Sequence, residues 1–177
     1  LERPEGEIML KGNSATKWYL EHGRMSGQED HIYIATKDGL FRSVDNGENW
    51  GNIGFEGQEI LMIRMSQDGT RLYVIPRSPG KEYGSLWRID NGDLSTLQKV
   101  NTANITSIDV HPEYPDSGWV ITDVKNLCSF SEGGSRISTP VLSNSNLLNN
   151  VQVNPYNGNH IVVAGSGLLS EGTLYIS

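Results

Sequence analysis

One order of short apolar segments occurs four times along the chain. Each copy has a run of β-branched or aromatic residues, a turn, and a second run that begins with leucine. These leucines recur at intervals of 41 to 47 residues, and they are Leu40, Leu86, Leu127 and Leu174. A nearly constant interval of this size predicts repeated supersecondary units that pack side by side.

A further strand precedes each of the last three copies, over residues 60–65, 105–110 and 148–153. Turn signals such as His111-Pro112 and Asn154-Pro155 follow these strands. Four strands in meander order with a period in the forties are typical of one β-propeller blade. The sequence therefore predicts an all-β fold, with about four blades of a β-propeller.

The predicted fold is a single propeller segment over residues 1–177, with blade pieces at about 1–30, 31–58, 59–103, 104–146 and 147–177. A closed ring usually needs six to eight blades, or roughly 260–340 residues at this period. Open sheet edges expose unpaired backbone groups. We therefore expect a partial propeller whose remainder lies elsewhere in a longer polypeptide, or half of a larger ring completed by self-association.

One turn carries a specific motif, Ser43-Val44-Asp45-Asn46-Gly47-Glu48-Asn49-Trp50. It resembles the Asp box, or BNR repeat, S-x-D-x-G-x-x-W, of Asp-box β-propellers. The Asp45 carboxylate can accept backbone hydrogen bonds in the turn, with Ser43 adding to the same network. Gly47 permits a positive φ, and Trp50 is an apolar anchor. We predict a structural role for all four residues.

Degenerate copies of the motif lie in phase with the repeat, at residues 11–18, 89–92 and 130–137. The resemblance extends to sialidases, xyloglucanases, sortilin-type receptors and photosystem assembly factors. The segment Ile32 to Ser43 is most similar to the xyloglucanase and bacterial BNR style. The catalytic motifs of these enzymes have no counterpart here, so the catalytic residues stay unknown. No complete catalytic constellation is present, which favours binding over catalysis for this chain alone.

Ligands of propellers usually bind the face formed by the loops between the second and third strands of each blade. The richest such loop contains Arg77, Lys81, Glu82 and Tyr83, whose ring and charged groups suit a sugar. The corresponding turns of neighbouring blades contain Asp38 and Asp123. These six residues are the predicted ligand-binding set, and turn stabilisation or solvation is the simpler interpretation of each.

The net charge of −7 and the lack of a basic stripe argue against nucleic acid as a partner. No apolar run approaches the roughly 20 residues of a membrane span. The four histidines show no ligand spacing, so we predict neither a metal nor a cofactor. Cys128 is the only cysteine, which excludes an intrachain disulfide, and we expect a buried thiol.

Two functions stay open at this point. The first is a carbohydrate-facing propeller, part of or derived from a secreted glycoside hydrolase-like BNR-repeat protein, in a secreted or periplasmic location. The second is a non-enzymatic scaffold of the sortilin or assembly-factor type. The expected partner is accordingly a glycan or a protein.

Overall fold

The computed structural model describes residues 19–23, 31–143, 147–166 and 172–176. The described residues form antiparallel strands and one turn of 3-10 helix, Glu132–Gly134. No described helix is long and apolar enough to cross a membrane.

The first sheet has four strands in sequence order. They are β1 (Tyr19–Gly23), β2 (His31–Thr36), β3 (Gly39–Ser43) and β4 (Gly51–Gly54). The predicted piece 1–30 thus contributes β1, which pairs with the first strand of the piece 31–58. The degenerate motif copy at residues 11–18 lies outside the described residues.

The middle of the chain forms two consecutive meanders that share one long strand. Their strands are β5 (Ile60–Met65), β6 (Arg71–Pro76), β7 (Gly84–Asp90), β8 (Asp93–Val110), β9 (Gly118–Thr122), β10 (Asn126–Ser131), β11 (Arg136–Ile137) and β12 (Leu142–Ser143). The first part of β8 pairs with β7 and its last part with β9. Ile105 pairs on both sides, with Gly84 and with Thr122. The predicted boundary between residues 103 and 104 therefore falls inside a continuous strand of 18 residues.

The last sheet has three strands, β13 (Leu147–Asn154), β14 (Asn157–Ser166) and β15 (Gly172–Ile176), again in sequence order. The division of the chain into the five predicted pieces stays a prediction.

Three apolar clusters fill the spaces between successive meanders. The first joins β2 and β3 to the next meander through Tyr33, Ala35, Leu40, Ile60, Ile63, Leu72, Val74 and Ile89. The second lies between the two central meanders and contains Met62, Tyr73, Ile75, Leu86, Ile105, Ile108, Val110, Val120, Cys128 and Phe130. The third joins β9 and β10 to the last sheet through Ile121, Leu127, Leu148, Val151, Val153, Ile161 and Val163.

The central strands are buried on both faces, which is why they are continuous apolar runs in the sequence. Leu72, Tyr73, Val74 and Ile75 of β6 are all at most 3% exposed. Alternate side chains of β6 belong to different clusters, one on each side of the sheet. The described part of the chain is therefore all-β and forms about four blades of a partial β-propeller. Cys128 is buried, as predicted.

Polar side chains join the first strands of neighbouring meanders. The Asp109 carboxylate accepts a hydrogen bond from the Val153 backbone amide at 2.7 Å and lies 3.4 Å from Nε of Arg64. Ser107 accepts from the Val151 amide at 3.2 Å and donates to Asn150 at 3.2 Å. Strands β5, β8 and β13 are thus connected by side chains in addition to their apolar contacts.

Candidate functional site

A cavity of about 520 Å³ opens at the end of the molecule where β2, β6 and β9 finish. The first strands of three meanders and the loops beside them line it. The lining residues are Thr36, Lys37, Glu59, Ile60, Leu61, Met62, Arg77, Glu82, Thr106, Val124, Leu148, Asn149 and Asn150. Eight of these lining residues are polar or charged and five are apolar.

Arg77 is the most connected charged group of this cavity. Its Nε lies 2.8 Å from Glu59 Oε2, and Nη1 donates to the Glu82 carboxylate and to the Lys81 carbonyl, the latter at 3.0 Å. The hydrogen bond to Glu82 raises the pKa of Arg77, with a smaller contribution from Glu59. Because the guanidinium contacts both carboxylates, it fixes their positions at the rim of the cavity.

Backbone hydrogen bonds hold the loop that follows Arg77. The Ser78 amide donates to the Tyr83 carbonyl at 2.9 Å, and the Lys81 amide donates to the Ser78 carbonyl at 3.0 Å. Gln58 Nε2 donates to the Arg77 carbonyl at 2.8 Å, and the Arg77 amide donates to the Glu59 carbonyl at 2.7 Å. Hydrogen bonds therefore connect this loop to the β4–β5 connection and hold the side chains of both segments in a defined arrangement.

The structure brings two of the six predicted ligand residues together at the cavity, Arg77 and Glu82. Lys81 is exposed and Tyr83 is half-buried, and neither lines the cavity. Whether any of the six binds a ligand stays a prediction.

The predicted aspartates lie in turns at the margin of the cavity. Asp38 is exposed, and its amide donates to Thr36 Oγ1 at 3.0 Å. Asp123 has a φ of 51° and accepts a hydrogen bond from Asn104 Nδ2 at 2.8 Å. Their neighbours Lys37 and Val124 line the cavity instead.

Several lining residues were absent from the predicted set, among them Glu59, Thr106, Asn149 and Asn150. Glu59 directly precedes β5, Thr106 follows the residue of β8 at which pairing passes from β7 to β9, and Asn149 and Asn150 lie near the start of β13. In a meander, the first strand starts at the same end as the loop between the second and third strands. The repeat alone could therefore have identified these positions. Among the described residues, no group of three or more His, Cys, Asp or Glu side chains could hold a metal ion.

The Ser43–Trp50 turn lies at the other end of its sheet, between β3 and β4. Ser43 Oγ donates to Asp45 Oδ1 at 2.7 Å and accepts from the Gly47 amide at 2.8 Å. The Asn49 amide donates to Asp45 Oδ1 at 2.9 Å, and Asn49 Nδ2 donates to Oδ2 at 2.7 Å. The Trp50 indole N–H donates to the Gly47 carbonyl at 3.0 Å. Gly47 has a φ of 91°, which favours glycine.

The hydrogen bonds from Asn49 and Ser43 lower the pKa of Asp45 to about 2. The hydrogen bonds described for its carboxylate all come from residues of the same turn.

Two degenerate copies of the motif also lie between the third and fourth strands of their meanders. At Ile89–Gly92 the turn has Asn91 and Gly92 at φ 50° and 64°, and Asp90 pairs with Arg88 at 2.6 Å and with Arg71 at 3.6 Å. In the copy at residues 130–137, Phe130 pairs with Ile137 across the turn.

No family model and no curated protein matches this chain. Solved structures do match. The GH74 xyloglucanase from Xanthomonas campestris is similar with a TM-score of 0.60 and 14% identity, over 81% of this chain and 27% of that one. The Niastella koreensis GH74 enzyme is similar with a TM-score of 0.63 and 14% sequence identity, over 81% of this chain and 26% of that one. An auxiliary nutrient binding protein from Bacteroides thetaiotaomicron is similar with a TM-score of 0.59 and 9% sequence identity, over 88% of this chain and 40% of that one.

These likenesses show the fold. At such identities they do not extend to residues or chemistry. The chain spans about a quarter of the length of the two GH74 structures.

Proposed function

We propose that this chain is the glycan-binding part of a glycoside hydrolase-like β-propeller protein, and that the 520 Å³ cavity is its binding site. The observation that carries the proposal is the position of Arg77, whose guanidinium holds Glu59 and Glu82 at the rim. Carboxylates fixed in this way can accept hydrogen bonds from sugar hydroxyls without moving. The half-buried Leu61 lines the cavity beside these polar groups and supports contact with the C–H face of a sugar ring.

The same geometry favours binding over hydrolysis. A glycosidase needs one carboxyl group that is protonated at working pH and a second that is ionised. In the cavity the carboxylates of Glu59 and Glu82 are both held by the Arg77 guanidinium, an arrangement that provides fixed hydrogen-bond acceptors and not an opposed acid–base pair. The proposed activity of this chain is therefore recognition. The likeness to GH74 enzymes and to a nutrient binding protein supports a glycan-related role and a secreted or periplasmic location.

We further infer that the turn Ser43–Trp50 is an Asp box with a structural role. The hydrogen bonds of Ser43, Asp45, Gly47 and Trp50 within the turn support this interpretation. It has no part in the proposed binding site, because it lies at the opposite end of its sheet.

Isothermal titration with a xyloglucan oligosaccharide and with sialyl-lactose tests the proposal, with released reducing sugar measured in parallel. We expect binding of at least one sugar without release. Arg77→Ala frees both carboxylates and should weaken binding about tenfold or more. Glu82→Gln keeps the shape of the loop and should weaken binding by a smaller factor, because a charged hydrogen-bond partner is lost.

Arg136→Ala is the matched control, because Arg136 is an exposed arginine whose ion pair is with Glu132 and which does not line the cavity. It should leave binding unchanged. Equal effects of Arg77→Ala and Arg136→Ala would contradict the assignment of the cavity. An absence of binding to either sugar, with one protein recovered stoichiometrically in a pull-down, would favour the scaffold function instead.

A further inference from the structure

Two turns of neighbouring meanders meet at the end of the molecule opposite the cavity. Residues 111–117 connect β8 to β9, and residues 155–156 connect β13 to β14. The register places these turns far from the cavity, because Val110 pairs with Gly118 at one end of β9 and Ile105 pairs with Thr122 at the other. Nothing described so far assigns a role to this end of the last two meanders.

Each turn presents an exposed tyrosine. The side chain of Tyr114 is 59% exposed and that of Tyr156 is 93% exposed. The other highly exposed large hydrophobic residues of the described part are aliphatic: Val44, Val141, Leu147 and Val162. Two aromatic rings on adjacent turns at one end are therefore a distinctive feature of this surface. Exposure of such rings has an unfavourable hydration free energy, so a binding role is a reasonable explanation.

His111 supports both turns. Its ring centroid lies 4.7 Å from that of Tyr114, with 40° between the planes. The ring also lies directly on the backbone of Gly158, where a Cβ atom would come within 1.9 Å of His111 Nε2. Because Gly158 is two residues from Tyr156, one imidazole fixes Tyr114 and the Tyr156 turn relative to each other.

Backbone contacts make each turn rigid. The His111 amide donates to the Ser117 carbonyl at 2.8 Å, and the Ser117 amide donates to the Tyr114 carbonyl at 2.9 Å. The Tyr156 amide donates to Asn154 Oδ1 at 2.8 Å. The rings are therefore presented on preorganised supports, which lowers the entropic cost of binding.

Neutral polar groups lie beside Tyr156, whereas the exposed Glu113 and the half-buried Asp116, which pairs with Arg71, flank Tyr114. Asn154, Asn157, Asn159 and His160 are all exposed on or beside the Tyr156 turn. A groove of about 410 Å³ starts at the same turn, and its lining is Gln152, Val153, Asn154, Pro155, His160, Ile161 and Val162. Amide and imidazole groups next to flat apolar rings are suited to a ligand that has both hydroxyl groups and apolar C–H faces.

We propose that Tyr114 and Tyr156 form a second binding site, which takes a neutral saccharide chain by stacking of its sugar rings. A protein partner would instead be expected to meet a contiguous apolar patch. Here polar turn residues separate the two rings, so each ring is suited to one sugar unit. This site is independent of the cavity at the other end, and a failure of either proposal leaves the other standing.

Titration of ¹⁵N-labelled protein with cellohexaose and with maltohexaose, followed by NMR, tests the second site. We expect amide shifts at residues 111–117 and 154–160 with at least one of the two sugars. Tyr156→Ala and Tyr114→Ala should each weaken this binding about tenfold, because one stacking surface is lost. Tyr156→Phe and Tyr114→Phe keep the ring and should retain most of the affinity.

Val141→Ala removes an exposed aliphatic side chain outside the proposed site and should change nothing. Arg77→Ala, at the cavity, should also leave these shifts intact. The proposal is overturned if neither sugar shifts these amides, or if the shifts persist unchanged in both alanine variants. The molar mass of the wild type and of the alanine variants is also measured by light scattering. The proposal is equally overturned if the substitutions change this mass and leave sugar binding unchanged, because the tyrosines would then contact a second protein molecule.

Discussion

Asp45 stabilises its turn in the ionised form. The stability of the protein should therefore change with pH as this carboxylate is protonated. Its folded pKa is about 2, below the ordinary 3.8, because Asn49 and Ser43 donate hydrogen bonds to the charged form. A depressed folded pKa gives stability that is present above the unfolded pKa and lost as pH falls through the folded one.

We predict that the melting temperature of the wild type, relative to that of Asp45→Asn, falls as pH decreases from about 4 to about 2. Thermal melts of both proteins at closely spaced pH values measure this difference, and subtraction removes the contribution of other carboxyl groups. A constant difference over this range would show that the turn does not depend on the charge.

The polar residues of this turn were predictable from sequence, because their contacts span at most four residues of chain. Glu59 was not predicted. Its contact with Arg77 depends on the pairing of β5 with β6 and on the path of the β4–β5 connection. Arg77 and Glu82 were predicted because they share one loop, whereas the groups that complete the cavity come from all four meanders.

At the scale of a single element, the start of β7 packs so closely against β6 that only a glycine fits there. Gly84 is buried, and a Cβ atom there would lie 1.8 Å from the Pro76 carbonyl oxygen. We predict that Gly84→Ala lowers the free energy of unfolding by about 1–3 kcal/mol, since β6 and β7 would have to separate locally. Urea denaturation measures this change.

Gly51→Ala is the control for Gly84→Ala, because nothing lies within 4 Å of a Cβ atom at Gly51 in β4. It should change the free energy of unfolding by less than about 0.5 kcal/mol. Similar losses in both variants would mean that strand propensity, and not the close approach to Pro76, determines the effect.

At the scale of the whole molecule, Asp109 connects three meanders through Arg64 and the Val153 amide. We predict that Asp109→Ala lowers the free energy of unfolding by about 1–3 kcal/mol, because it leaves the buried Val153 amide without this acceptor. Chemical denaturation at neutral pH measures the loss.

Burial raises the pKa of Asp109 above its ordinary 3.8, more than its hydrogen bonds lower it. Stability from a raised folded pKa is fully present below the unfolded pKa and is lost as pH rises through the folded one. The stability of the wild type relative to Asp109→Asn should therefore decrease as pH rises from below 3.8. A difference that increases with pH would contradict the assigned burial effect.

The number of meanders and their order were predictable, because each meander repeats the same apolar runs and turns. The pairing of β1 with β2 was not, since the short interval before His31 obscured the first strand. Closure of the ring by self-association or by further chain stays a prediction. The boundary at residue 103 could not be located from sequence, because no glycine or proline interrupts residues 93–110.

The continuity of β8 has a consequence for modularity. Propeller blades are usually regarded as exchangeable units, which recombination or protein engineering can duplicate, delete or transplant one at a time. Between the second and third meanders of this chain no loop separates the two units, because the last strand of the former continues into the first strand of the latter and Ile105 pairs with both neighbours. A cassette cut at residue 103 would therefore divide a strand rather than a linker.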